Sequence, residues 1–252
     1  MKKYCFFDID RTLGLGISAK VPADTLYCLK QLKRHGHFVA IATGRLQCDA
    51  YEFATSLDIH SVVADGGNSV TVDDKLLTME GLPLEPCKAL LHDLDERRLP
   101  WAVVTDNTLN RYTPSPDFPH ADPGNYMKTV VRPVDIDSLD VIYKITYARP
   151  QEGEPDVPQH DLPHLVYLDH TYLIEPMDKG KGILQMMKLM NADPKDVIVF
   201  GDGLNDISMF HKPFFSIAMG NARPELKAVA DYITDDNDKG GILHACVKFG
   251  LI

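Results

Sequence analysis

No stretch of this 252-residue chain approaches the roughly 18 consecutive apolar residues of a membrane span, so no transmembrane segment is expected. Cysteine is sparse and unpatterned. The five residues Cys5, Cys28, Cys48, Cys87 and Cys246 are odd in number and form no CxxC pair. That argues for buried thiols in a reducing cytoplasm over a disulfide frame or a zinc site. Positive charge is short as well. With 26 Lys and Arg against 36 Asp and Glu, the net charge of −10 and the lack of a basic stripe exclude a nucleic-acid backbone as partner. The ten histidines show neither HxxxH nor HExxH spacing, so His120, His160, His164, His170, His211 and His244 read as surface residues. No apolar segment with a cleavage site precedes Tyr4, so no removable signal is expected. There is no internal repeat, and the single tryptophan, Trp101, opens a predicted strand and reads as core.

What remains is the pattern of an ordinary globular protein, large enough for one domain or two. Apolar runs at 2–8, 38–42 and 61–64 alternate with helical patterns at 22–34 (apolar Leu26, Leu29 and Leu32) and about 46–57. Continuous apolar strands alternating with helices predict a parallel sheet covered on both faces. A hairpin follows at 70–78, turning at 73–75. From about residue 81 the chain becomes rich in proline and polar residues, with a helix at 86–98 and strands at 101–105 and 141–148. The segment 149–163 reads as a loop or a short helix. Helix and strand alternate again from about 182: helices at 182–190, 205–210, 224–230 and 241–249, strands at 197–200, 214–218 and 232–234. The expected architecture is α/β: a Rossmann-like, doubly wound parallel-sheet core over 1–80 and 173–252, with an inserted α+β unit over 81–172.

Asp8 and Asp10 directly follow the first apolar strand, and Asp202 and Asp206 follow the strand at 197–200. Residues two apart on an extended segment share a face, so Asp8 and Asp10 can reach one centre. Carboxylates brought that close need a cation or a shared proton. Two such pairs, each at a strand end, suggest a Mg²⁺ site. Ligands of open parallel sheets bind beyond the carboxyl ends of the strands. Thr43 and Gly44, after the second strand, fall there too, and Lys181 at a helix start can point into the same crevice. A carboxylate nucleophile, a second carboxyl, a hydroxyl, backbone N–H groups, an ammonium and a metal suit phosphoryl transfer.

The motifs Asp8-Ile9-Asp10-Arg11-Thr12-Leu13, Ala42-Thr43-Gly44-Arg45, Lys181-Gly182, Gly201-Asp202-Gly203-Leu204-Asn205-Asp206 and Ala218-Met219-Gly220-Asn221-Ala222 resemble the ordered motifs of the haloacid dehalogenase superfamily. Their spacing and the insertion after the third strand resemble its Cof-type phosphatase branch. The resemblance covers about two-thirds of the chain and hardly constrains the insertion. It implies a phosphomonoester hydrolase acting on small phosphorylated metabolites, most often sugar phosphates, through an aspartyl-phosphate on Asp8. Asp10 would be the acid and base, and Lys181 would balance the charge. Thr43, Gly44 and Asn205 would hold phosphate. Mg²⁺ would take Asp8, the Asp10 carbonyl and Asp202, with Asp206 as a ligand or a support.

Three departures stand out. Arg11 occupies the place of a usual glycine and is either strained at positive φ or an added cation at the entrance. Asp65-Gly66 replaces the usual Asn-Gly. The segment before the lysine is short, and Lys181 is favoured over Lys179 because Gly182-Ile183 and a helix follow it. Arg45 and Arg11 are candidates for a substrate or cap contact, and Asp106, Asn107, Asn110 and Arg111 for reading the leaving group. A phosphomutase on the same core and a non-catalytic phosphometabolite-binding protein are the rival readings. A monomer or homodimer in the cytoplasm is expected, with no nucleic-acid or membrane partner.

Overall fold

The computed structural model describes residues 1–16, 20–124, 126–167 and 171–252; His170 lies outside them. The chain divides into two units, Met1–Met79 with Met177–Ile252, and Glu80–Pro176.

The first unit begins with β1 (Tyr4–Phe7), α1 (Ala23–Arg34), β2 (Phe38–Ala42), α2 (Gln47–Ser56), β3 (Val62–Ala64) and the hairpin β4 (Ser69–Val72) to β5 (Lys75–Met79). In α1 the buried stripe is Thr25, Cys28, Leu29 and Leu32, an i, i+3, i+4, i+7 pattern. Leu26, grouped with Leu29 and Leu32 as apolar in the sequence pattern, falls off that stripe and is exposed. Asp73 and Asp74 both take positive φ (46° and 66°), as a two-residue hairpin turn requires.

The second unit holds α3 (Leu84–Glu96), β6 (Trp101–Val104), β7 (Asn110–Thr113), α4 (Phe118–Ala121), β8 (Lys128–Val131), β9 (Lys144–Ala148), β10 (His164–Tyr167) and β11 (Thr171–Ile174). Its six-stranded sheet runs β10-β11-β9-β6-β7-β8. One face packs on α3 through Leu90, Leu91, Leu94, Trp101, Ile145 and Tyr147. Trp101 is core, with its indole N–H donating to Asp95 (2.7 Å). The strands also carry two buried ion pairs, Lys144 with Glu175 and Arg111 with Asp122. Because β11 pairs with β9, this unit extends to Pro176 rather than to 172. The segment 149–163 contains turns and no α-helix.

The chain then returns to the first unit with α5 (Lys179–Leu189), β12 (Val197–Gly201), β13 (Phe215–Ala218), α6 (Pro224–Val229), β14 (Tyr232–Ile233) and α7 (Gly241–Lys248). Residues Leu204–Met209 form 3₁₀ turns rather than the α-helix expected at 205–210; the Asp206 N–H bonds to the Gly203 carbonyl three residues back (3.1 Å). Among the described residues the sheet runs β14-β13-β12-β1-β2-β3-β4-β5, parallel from β14 to β3 and antiparallel beyond. Strand β1 lies between β12 and β2, with Phe7 paired to both Phe200 and Ile41. The chain therefore leaves three neighbouring strands at one level, where the strand order reverses. That is where a ligand crevice forms in an open α/β sheet.

Candidate active site

Three carboxylates meet at that level. Asp8 follows β1, Asp202 follows β12, and Asp206 sits in the first 3₁₀ turn after it. All are buried, and each offers an oxygen within 4.8 Å of the others. Lys179, the first residue of α5, reaches into this group. Its ammonium donates to Asp8 Oδ1 (2.7 Å) and Asp206 Oδ1 (2.5 Å), and it is fully buried.

This corrects the lysine. Lys181 is exposed on the other side of α5, and Asp178 accepts its backbone N–H (2.9 Å). The helix starts at Lys179, three residues earlier than expected, and the two positions from one lysine to the other turn a side chain by about 200°. The two small residues that follow lie against the core. A Cβ at Gly180 would stand 2.2 Å from the Ser208 carbonyl oxygen, and one at Gly182 would stand 2.4 Å from Val63. The positions of these glycines fix Lys179, not Lys181, as the inward lysine.

Asp206 is engaged at both oxygens. Oδ1 takes Lys179, and Oδ2 accepts the backbone N–H groups of Asp202 and Gly203 (2.9 Å each). It shapes the loop that presents Asp202. Asp202 Oδ1 accepts from the buried Thr12 hydroxyl (3.3 Å), and Arg11 Nε lies 3.4 Å from Oδ2. Among the described residues Asp8 Oδ2 accepts no hydrogen bond.

Asp10 stands apart from the three. Its carboxylate is held in a fork by Arg45, Nε to Oδ2 (3.0 Å) and Nη2 to Oδ1 (2.5 Å), while Arg45 Nη1 also reaches Asp49 (3.2 Å). Arg45 thus orients Asp10. Thr43 is buried after β2, and its Oγ1 accepts the Arg45 N–H (3.2 Å), which leaves the hydroxyl proton to donate elsewhere. Gly44 is half-buried beside it. Asn205 is half-buried, its Oδ1 lying where a Cβ on Gly203 would meet it at 2.5 Å. Asp65 is buried and accepts the Gln47 N–H (3.2 Å).

In the second unit, Arg111 is held by Asp122, Thr129 and two carbonyls, which makes it a structural residue. Asp106 accepts from Tyr112 and Thr108. Sequence reasoning left Asn221 without a role. Its amide braces the acidic loop by donating to the Arg11 carbonyl (2.8 Å).

The electrostatics fit a metal. Burial pushes the Asp8 carboxyl well above the ordinary range against the pull of Lys179, and Asp206 and Asp202 push the same way. Burial and Asp206 raise Asp202 to about 6. Burial alone would drive the Lys179 ammonium down, but Asp206 and Asp8 outweigh it and raise it above the usual lysine range. Three carboxylates face one buried ammonium, with the half-exposed Arg11 guanidinium beside Asp202, so the buried cluster keeps an excess of negative charge that a cation can neutralise. An all-oxygen donor set suits magnesium.

The family model for haloacid dehalogenase-like hydrolases matches residues 5–246. The chain belongs to the haloacid dehalogenase-like hydrolases. Among curated relatives, it is 30% identical to YkrA of Bacillus subtilis (strain 168), over 99% of this chain and 98% of that one. It is 28% identical to a phosphoglycolate phosphatase of Nitrosopumilus maritimus, over 100% and 98%. A crystal structure of a Geobacillus kaustophilus protein superposes with a TM-score of 0.87 at 31% identity, covering both chains fully.

Proposed function

We propose that this phosphatase of the haloacid dehalogenase-like family hydrolyses small phosphorylated metabolites, sugar phosphates foremost, by way of a phosphoryl group carried on Asp8. The observation that carries this reading is the buried Asp8–Lys179–Asp206 chain beside Asp202 at the switch point of the sheet. The phosphoglycolate phosphatase of Nitrosopumilus maritimus, similar over its whole length, acts on a small phosphomonoester by name. Asp8 and Asp202, with the Asp10 main-chain carbonyl, would hold Mg²⁺. The ion would neutralise charge on the phosphoryl oxygens and the attacking carboxylate.

Lys179 fixes Asp8 Oδ1, so Oδ2 is the attacking oxygen. It forms a bond to phosphorus as the ester P–O bond breaks, and Asp10 gives its proton to the departing alkoxide. The Thr43 hydroxyl and the N–H groups of Gly44 and Asn205 donate to the phosphoryl oxygens. Water then attacks phosphorus, its proton passes to Asp10, the acyl-phosphate P–O bond breaks, and Asp8 is restored. Asp10 carries its proton with one arm of the Arg45 fork open. Giving that proton to the alkoxide closes the fork, and taking the proton of water opens the arm again, so Arg45 positions the group in both forms.

The test is phosphate release from a panel of sugar phosphates, nucleotides and phosphoglycolate, with Mg²⁺ and with EDTA, beside Asp8→Asn. Release that needs the metal and vanishes in the variant is expected. Release unchanged in Asp8→Asn would remove the proposed nucleophile.

A further inference from the structure

Arg11 answers the question its sequence position raised: its φ is 61°, in the left-handed region that favours glycine. The conformation is held from both sides. Its N–H donates to the Gly16 carbonyl (2.9 Å), and its own carbonyl accepts from Asn221 Nδ2 (2.8 Å). Asn221 Oδ1 in turn accepts the Asn237 N–H (2.9 Å), and Asn237 Nδ2 donates to the Gly14 carbonyl (2.8 Å). From this clamped backbone the half-exposed side chain brings Nε to 3.4 Å from Asp202 Oδ2. Thr12 already occupies Oδ1. Both oxygens of the carboxylate assigned to the metal are therefore engaged, one of them by a cation that cannot shed its charge.

We propose that Arg11 is a tethered counter-cation for Asp202 that competes with the divalent ion and so sets the metal concentration at which the site fills. This inference rests on the metal reading given above. A carboxylate oxygen already facing a guanidinium attracts a second cation less. An arriving ion must either displace Arg11 or bind with a like charge beside it. The guanidinium is exposed enough to be screened, so the effect is moderate and depends on salt.

The test is calorimetric titration of the full chain with Mg²⁺ at low salt and without substrate, for the parent protein and for Arg11→Gln, Arg11→Gly and Arg11→Lys. Arg11→Gln and Arg11→Gly should bind Mg²⁺ about three- to ten-fold more tightly, on the scale of an exposed charge pair facing a doubly charged ion. Arg11→Lys should stay with the parent, and the gap to Arg11→Gln should narrow as salt rises. Equal affinities, or weaker binding by Arg11→Gln, overturn the proposal. Tighter binding by Arg11→Gly alone overturns it too, since relaxing the left-handed backbone would then be the cause. If the parent binds no Mg²⁺ and releases phosphate regardless of EDTA, the metal reading itself fails. Measurable binding with equal affinities removes only the role of Arg11.

Discussion

Lys179 is a cation that can be neither removed nor moved cheaply. Truncating one partner of a buried ion pair leaves uncompensated charge and costs about 3–5 kcal/mol. Lys179→Met should lose that much stability in denaturant titration and about a hundred- to a thousand-fold in turnover, the scale seen when a charge-stabilising donor is lost. Lys181→Ala, on the exposed side of the same helix, should stay within about 0.5 kcal/mol of the parent and keep its activity; the reverse outcome would restore the lysine that the sequence favoured. Asp202 supplies a pH test. Its carboxyl is raised from the ordinary 3.8 to about 6 by burial and Asp206. The folded chain therefore holds a proton there that the unfolded chain releases, and without metal its stability falls as pH rises through that window. Asp202→Asn has no such proton to lose. In EDTA the melting temperature of the variant should gain on the parent between pH 4 and pH 6.5, and a constant difference would contradict the raised carboxyl.

Helix α5 shows how an element carries chemistry it does not itself perform. Gly182 lets the helix approach Val63 and the Gly67 backbone, and Gly67, at φ +106°, has no room for a Cβ against the Asp178 carbonyl. Gly182→Ala should cost about 1–3 kcal/mol by overpacking. Turnover should fall with it, because a shifted α5 moves Lys179; unchanged turnover would mean that the lysine tolerates displacement. The same helix marks the limit of what the sequence reveals. Both lysines precede a glycine, and only the packing of Gly180 and Gly182 against Ser208 and Val63 sets the register. Strands β1, β2 and β12 were legible as apolar runs, and Asp8, Thr43 and Asp202 directly follow them. Strand β7, Asn110-Arg111-Tyr112-Thr113, was not. Its inward positions are Arg111 and Thr113, polar groups satisfied by partners distant in sequence, so no periodicity of apolar residues announces it.

The whole molecule is a discontinuous core and an insertion, each with its own apolar cluster. The order of the motifs made that division readable, while its second boundary depends on the pairing of β11 with β9, which short-range patterning does not reveal. Separate cores imply separable stability. Lys144→Ala strands the buried Glu175 and should cost about 3–5 kcal/mol. Hydrogen exchange should show lost protection in β9 and β11, with β1, β2 and β12 unchanged; uniform loss would mean one cooperative unit. The central claim concerns the first unit, that phosphoryl groups pass through Asp8. The most direct measurement is acid quenching during turnover, followed by mass analysis of the peptide that contains Asp8. A phosphoryl group on Asp8 that appears with substrate and Mg²⁺ and is absent in Asp8→Asn is predicted. Steady phosphate release with no label on that peptide, under conditions that trap acyl phosphates, would contradict the account.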